Sequence, residues 1–288
     1  MRHFEKELPE IGILDLRRLN DVLVKNHGTD LGIYAPASLK SKVSRFIADN
    51  SLKDIDSLIY ALKNNSSCFP RLMNSISVGC SEFYRDPTFW RVLREEVFPV
   101  LNQNYPEINF WLPGCASGEE VLSLAITLYE TGIYGKSKIL TSDNHAKLPG
   151  KPSITEYCNT NYEVSDHNYR LYRTDDISNF SDYIIREHGK FVLKEFLYEN
   201  IYYEAFNNQV PKKSLKLSNG FARTHMIICR NYFIYFTGQH QDKLLHVFTN
   251  ALVSGGFLAI GNMENISFCE DFSRYTAFNA YERIYRKK

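Results

Sequence analysis

The chemistry of this chain centres on a short loop, GCASGEE (residues 114–120), set between the apolar run INFWLP and the amphipathic run EEVLSLAITLYETG. Gly114 and Gly118 would let the backbone approach a small molecule closely, and the helix that follows offers its positive N-terminus. Dinucleotide sites use that helix end for a pyrophosphate, with the spacing GxGxxG. Here the spacing is GxxxG, and Glu119 and Glu120 follow at once. A carboxylate in that place repels phosphate and attracts an ammonium group, which points toward a ligand carrying an amino acid. The next apolar run, KSKILTSD, ends in Asp143, 25 residues past Gly118. An acidic residue at the tip of a second strand is the usual partner of ribose hydroxyls. An amino acid and a ribose on one ligand describe S-adenosylmethionine. On these residues alone a second reading stays open, in which GxxxG is a tight turn with close helix packing and Glu119 a helix-terminal charge.

The elements that must position this loop follow from periodicity. Leu16, Leu19, Leu23 and Val24 stand at helical spacing with Gly28 as a stop; Leu39, Val43, Phe46 and Ile47 repeat the pattern, and Ile55, Leu58, Ile59 and Leu62 repeat it again. A small N-terminal helical bundle over residues 1–72 is expected, then a linker and connecting helix over 73–106. From residue 107 onward strands and helices alternate: INFWLP, EEVLSLAITLYETG, KSKILTSD, THMIICRNYFIYF, QDKLLHVFTNALVSGG and FLAIGN. That order predicts an α/β domain over 107–288, doubly wound around a mostly parallel sheet. Residues 144–200 read as irregular, and FVLKEFLYENIYYEAF, rich in β-branched and aromatic residues, as a small antiparallel β insertion over 180–204.

Composition bounds the function. With 288 residues, 44% of them hydrophobic, and a formal charge of +1, the chain can bury a full core and carries no global field for nucleic acid. The start MRHFEKELPE has no signal-peptide pattern, and no apolar run is long enough to span a membrane, so a soluble cytoplasmic protein is expected. The six cysteines are scattered without a CxxC, which argues against a zinc site and a disulfide framework.

Several motifs together resemble one family, the chemotaxis receptor glutamate methyltransferases (CheR type): GCASGEEVLSLAI, TSD, SEFYRDPTFW, CRN…IYF, and ALVSGGFLAIGNMENIS with its closing glutamate. The resemblance runs nearly end to end and implies a class I methyltransferase-like fold with S-adenosylmethionine as cofactor and no metal. It implies that Ser81 and Arg85 contact the methionine end, that Glu120 holds the ammonium beside Gly114, and that Asp143 holds the ribose. Arg230 and Asn231 would line the cofactor cleft, Ala205 and Phe206 the adenine pocket, and Tyr235 would sit near the transferred methyl group. Arg85 and Tyr235 are the residues expected to orient the reaction; an ordinary ion pair of Arg85 with Asp86 or Glu82 is the plainer reading of that arginine. The acceptors implied are glutamates on cytoplasmic helices of chemoreceptors, with Lys40, Lys42 and Arg45 of the second helix facing them or simply forming a solvated helix face. A monomer is expected.

The chain departs from the family pattern in places. Gly79 stands where the family has an asparagine, Ala205-Phe206 where it has Asn-Leu, and Leu122 where a tyrosine follows the paired glutamates. After Asp143 the run NHAKLPGKPS, with two prolines and a glycine, replaces a helix. These changes cluster on the adenine side. They leave open a catalytically weak or silent relative that serves as a nucleoside-binding signalling scaffold, and, less in keeping with the helical N-terminal module, a methyltransferase for a small molecule.

Overall fold

The computed structural model describes residues 8–76, 82–114, 117–143, 155–158, 160–175, 177–205 and 223–288. The chain divides into two compact units, one of residues 1–79 with 233–241 and one of residues 80–232 with 242–288.

The first unit is helical: α1 (Ile13–His27), α2 (Pro36–Asp49), α3 (Ile55–Asn64) and α4 (Cys68–Ile76). The expected apolar stripes are buried at Leu16, Leu19 and Leu23, at Leu39, Val43, Phe46 and Ile47, and at Ile55, Leu58 and Leu62. Val24 is instead exposed. Gly28 ends α1 in the left-handed region at φ +64°, and Asp54 caps α3 by accepting the Ser57 N–H at 2.9 Å. A fourth helix, α4, extends the bundle past residue 72, with Cys68, Leu72, Met73 and Ile76 inward. The unit also takes in a late segment. Tyr34 and Phe236 form an antiparallel bridge, the Ala35 N–H donates to the Tyr235 carbonyl at 2.8 Å, and the Thr237 N–H donates to the Ile33 carbonyl at 2.9 Å. The expected unbroken domain over 107–288 is corrected to that extent, since these backbone bonds join 233–241 to the bundle.

The second unit opens with α5 (Pro87–Val92), which runs through a π-helical turn at Leu93–Val97 into α6 (Phe98–Asn104). Then come β1 (Ile108–Pro113), α7 (Glu119–Glu130), β2 (Ser137–Asp143), β3 (Tyr157–Cys158), α8 (Thr160–Tyr172), β4 (Ile184–Glu187), β5 (Lys190–Leu193) and β6 (Ile201–Ala205). β7 (Thr224–Cys229), α9 (Gly238–Ala251), β8 (Leu252–Ile260), β9 (Tyr275–Asn279) and β10 (Ile284–Lys287) complete the order, α9 beginning within the segment that belongs to the first unit. One seven-stranded sheet runs β6-β2-β1-β7-β8-β10-β9, parallel through β8 and closed by the antiparallel strands β10 and β9. Strands β1 and β7 are buried at every position, as the interior strands of a sheet covered on both faces must be. Among the described residues no helix is long and apolar enough to cross a membrane.

A separate three-stranded antiparallel sheet, β3-β5-β4, is the small β insertion. Its extent differs from the expected 180–204. It starts at Tyr157, and IYYEA is not part of it, because β6 pairs parallel with β2 at the edge of the main sheet. Helix α8, within a stretch read as irregular, is held by polar contacts that hydropathy does not register. The side chain of Glu130, at the end of α7 and 2% exposed, accepts from Tyr169, from Tyr172 at 2.8 Å, from Tyr183 at 2.9 Å and from Ser178 at 3.1 Å, and pairs with Arg173 at 3.0 Å. A buried carboxylate satisfied on all sides is the one form in which such a group is tolerated.

Candidate active site

The site lies beyond the carboxyl ends of β1, β7 and β8, where ligands bind in open α/β sheets. Trp111 on β1 donates its indole N–H to Ser142 Oγ at 2.8 Å, and the Gly114 N–H donates to the Ser142 carbonyl at 2.6 Å, so the loop leaves β1 locked against β2. Gly114 has φ +74°, and a Cβ there would lie 2.4 Å from the ring of Tyr232. Only glycine fits. Residues 115 and 116 of the loop lie outside the described residues. Gly118, at φ +97°, precedes α7, and the hydroxyl of Tyr157 donates to the Ser117 carbonyl at 2.8 Å beneath it.

The paired glutamates have different roles. Glu119 turns inward and is 3% exposed; its carboxylate accepts from Ser117 Oγ at 2.5 Å, and burial raises its pKa. Its carbonyl accepts the hydroxyl of Ser123, which in turn accepts the Tyr84 N–H at 3.0 Å. Glu119 therefore builds the start of the helix. Glu120 is partly exposed, at 19%, and lies 3.6 Å from the guanidinium of Arg230. Desolvation pushes its pKa up to about 7 against the pull of Arg230, with Glu264 and Asp86 raising it further and Arg85 lowering it.

Arg230, at the end of β7, is 1% exposed. Its guanidinium stacks on Phe89 at 4.0 Å, pairs with the carboxylate of Asp86 and donates to the Arg85 carbonyl at 3.3 Å. Its Nε is buried with no hydrogen-bond partner among the described residues. The plainer reading of Arg85 is thereby corrected. Asp86 is taken by Arg230, Glu82 accepts from Asn168 at 3.2 Å, and the exposed guanidinium of Arg85 has no ion pair among the described residues. Asn231 follows in the left-handed region at φ +55°, its N–H donating to the carboxylate of Glu264 at 3.0 Å.

The other expected site residues fall as follows. Asp143 and Ala205 end the paired strands β2 and β6 at facing positions. Ser81 and Phe206, with Gly79, lie outside the described residues, as does the run after Asp143. Tyr235 belongs to the first unit, with Lys40, Lys42 and Arg45. Lys40 and Arg45 are exposed on α2. Lys42 is not a third member of that surface: its ammonium sits over the Tyr235 ring at 4.1 Å and donates to the Ile76 carbonyl at 2.5 Å, and burial lowers its pKa to about 8. Asp86, Tyr232 and Glu264 were not assigned roles from sequence. Asp86 was visible only as a neighbour of Arg85, and Glu264 only as the glutamate closing a resembling motif.

A glycine loop after the first strand, a partly exposed carboxylate at the head of α7 and a buried arginine at the end of β7 form one site, and comparison with known proteins gives its family. Residues 80–280 match the family model described as CheR methyltransferase, SAM binding domain. The chain belongs to the CheR methyltransferase family. The Cher3 protein of Pseudomonas putida is 27% identical over 274 residues, covering 95% of this chain and 97% of that protein. The chemotaxis protein methyltransferase of Listeria innocua is 25% identical over 264 residues, covering 90% of this chain and 93% of that protein. That of Borreliella burgdorferi is 24% identical over 269 residues, covering 88% of each. Loop, α7 and the ends of β1, β2, β7 and β8 all fall inside the stretch that matches the S-adenosylmethionine-binding domain of CheR methyltransferases.

Proposed function

We propose that this chain is a protein-glutamate O-methyltransferase that esterifies glutamate side chains on the cytoplasmic helices of chemoreceptors. The observation that carries the reading is the division of charge at the site: Glu120 partly exposed beside an Arg230 paired with Asp86, and Arg85 exposed without an ion pair among the described residues. The residues fit S-adenosylmethionine. A carboxylate at the head of α7 suits its ammonium, and the Nε of Arg230, buried with no hydrogen-bond partner among the described residues, suits its carboxylate. Asp143, the last residue of β2, is assigned the ribose, with Gly114 giving the backbone room to approach. Bound there, the cofactor supplies a sulfonium-activated methyl group.

An acceptor glutamate, with an ordinary pKa near 4.3, is already ionised at neutral pH, so the transfer asks for no general base. What the protein contributes is alignment of the carboxylate oxygen with the methyl carbon and exclusion of water, and alignment alone is worth about 7 kcal/mol or more. Arg85 is assigned the orientation of the acceptor carboxylate, since a fork of donors fits a carboxylate in two places at once. Tyr235 is assigned a second, non-ionic contact. Lys40 and Arg45, exposed on α2, are assigned the acidic face of the receptor helices, a role that steers association more than it adds affinity.

The experiment is transfer of a labelled methyl group from S-adenosylmethionine to a receptor cytoplasmic fragment, with release of methanol by base as the signature of an ester. Arg85→Ala should lower kcat at least a hundredfold while leaving S-adenosylhomocysteine affinity within a few-fold. A base-stable product, or no transfer to any receptor fragment despite tight cofactor binding, overturns the assignment.

A further inference from the structure

Beyond β8 the chain turns at Gly261 and presents Glu264, whose side chain the proposed chemistry does not use. It is 2% exposed. One of its carboxylate oxygens accepts two backbone N–H groups, from Gly261 at 2.6 Å and from Asn231 at 3.0 Å. The Glu264 N–H donates back to the Gly261 carbonyl at 2.9 Å, closing the turn. The fit is tight: a Cβ on Gly261 would meet Asn231 N at 2.9 Å, Asn231 Nδ2 at 3.0 Å and Glu264 Oε2 at 3.0 Å. Burying a carboxylate is costly, and two backbone donors on one oxygen make it a clasp between the loops that leave β7 and β8. Asn231, held by that clasp in a left-handed conformation, directly follows Arg230. The clasp therefore fixes the corner from which the Arg230 guanidinium reaches Phe89, Asp86 and Glu120.

We infer that Glu264 is a positioning residue of the cofactor site: it locks the Arg230–Asn231 corner against Gly261 and adds a second negative charge that favours a positively charged ligand group at Glu120. The inference rests on the cofactor-binding role of Glu120 for its consequence, and on the clasp alone for its mechanics. The charged groups that act on Glu120 are Arg230 and Arg85, which favour its ionised form, and Glu264 and Asp86, which oppose it.

Two variants separate the clasp from the charge. Glu264→Gln removes the charge and keeps an amide oxygen able to accept both N–H groups, so the clasp is weakened but not lost. Gly261→Ala keeps the charge and pushes the clasp apart, and it stands in should Glu264→Gln fail to fold. In the free protein, hydrogen exchange at the Asn231 and Gly261 amides should quicken at least tenfold in Gly261→Ala and about two- to threefold in Glu264→Gln. The Glu120 carboxyl resonance should titrate at lower pH in Glu264→Gln and keep its midpoint in Gly261→Ala. S-adenosylhomocysteine affinity near pH 8 should fall about tenfold in each. Unchanged exchange at both amides overturns the clasp, and an unmoved Glu120 midpoint in Glu264→Gln overturns the electrostatic part. Should the unaltered protein bind no S-adenosylhomocysteine, the cofactor role of Glu120 fails, while exchange and titration still decide what Glu264 does.

Discussion

Cofactor binding should release a proton, and Glu120 should be its source. The carboxyl is pushed up to about 7 by desolvation and by the neighbouring carboxylates. A ligand ammonium selects the ionised form, so the apparent dissociation constant rises as the inverse of the ionised fraction. With a midpoint near 7, roughly a tenth of the sites are ionised at about pH 6 and roughly nine-tenths at about pH 8. The affinity for S-adenosylhomocysteine should therefore be about tenfold weaker at the lower pH, a difference of ~1.4 kcal/mol. Titration calorimetry in two buffers of unequal ionisation enthalpy should show about half a proton released per ligand near pH 7. Deprotonation of the ligand's own ammonium weakens binding as pH rises, so its contribution has the opposite sign. Glu120→Gln should abolish the linkage and lower affinity together.

The same shift has a stability side. Because the folded midpoint lies above the ordinary 4.5, the native state takes up a proton between about pH 4.5 and 7, and stability falls as pH rises through that window. Glu120→Gln should therefore raise the melting temperature by several degrees near pH 8 and leave it little changed near pH 4, the gain being at most on the order of 3 kcal/mol. A flat affinity between pH 6 and 8 with no proton exchange would refute the reasoning, as would a Gln variant less stable than its parent at pH 8.

Other outcomes follow from the packing. Gly114→Ala forces a Cβ to within 2.4 Å of Tyr232 at φ +74°, so S-adenosylhomocysteine affinity should drop at least tenfold and stability by about 1–3 kcal/mol, read by calorimetry and thermal melts. Glu130→Ala removes one of the two carboxylates paired with Arg173, Asp175 being the other, and takes the acceptor from the hydroxyls of Tyr172 and Tyr183; a loss of about 2–4 kcal/mol in urea unfolding is expected. Lys40→Glu and Arg45→Glu should slow association with receptor fragments in a salt-dependent way. Lys42→Met should leave that association unchanged, because its ammonium faces Tyr235 and Ile76; equal effects from all three would contradict the packing of α2.

What the sequence revealed and what it withheld divide along a physical line. Strands β1, β2, β7 and β8 and helix α7 announce themselves through local periodicity, and the glycines of the loop through a spacing that has one backbone solution. Helix α8 did not, because two of its inward positions are tyrosines whose hydroxyls find Glu130 39 and 42 residues away, a satisfaction that hydropathy cannot score. Strand β6 was misread for a related reason: IYYEA has the composition of any strand, and only pairing with β2 fixes its sheet. Nor does a basic run reveal which lysine turns inward, as Lys42 does between exposed Lys40 and Arg45.

The two arginines of the site carry the point furthest. From sequence, Arg85 is expected to orient the reaction, an ion pair with Asp86 or Glu82 being only its plainer reading, and Arg230 is expected to line the cofactor cleft. Asp86 reaches the residue 144 positions away, and at 1% exposure Arg230 would otherwise depend on Glu120, 3.6 Å away, for its counter-charge. Neutralising Arg230 has two effects. It adds a little to the desolvation that lifts Glu120 toward neutrality, and it leaves Arg85 exposed with no ion pair among the described residues. The proposed reaction, which takes an ammonium and orients a carboxylate, would use that separation, with Arg230 held in the structure and Arg85 available to the acceptor. Asp86→Asn tests it directly. With Asp86 neutral, Arg230 should draw on Glu120 more strongly, the proton linkage of cofactor binding should move to lower pH, and the competition should weaken binding of the ligand ammonium even where Glu120 is fully ionised.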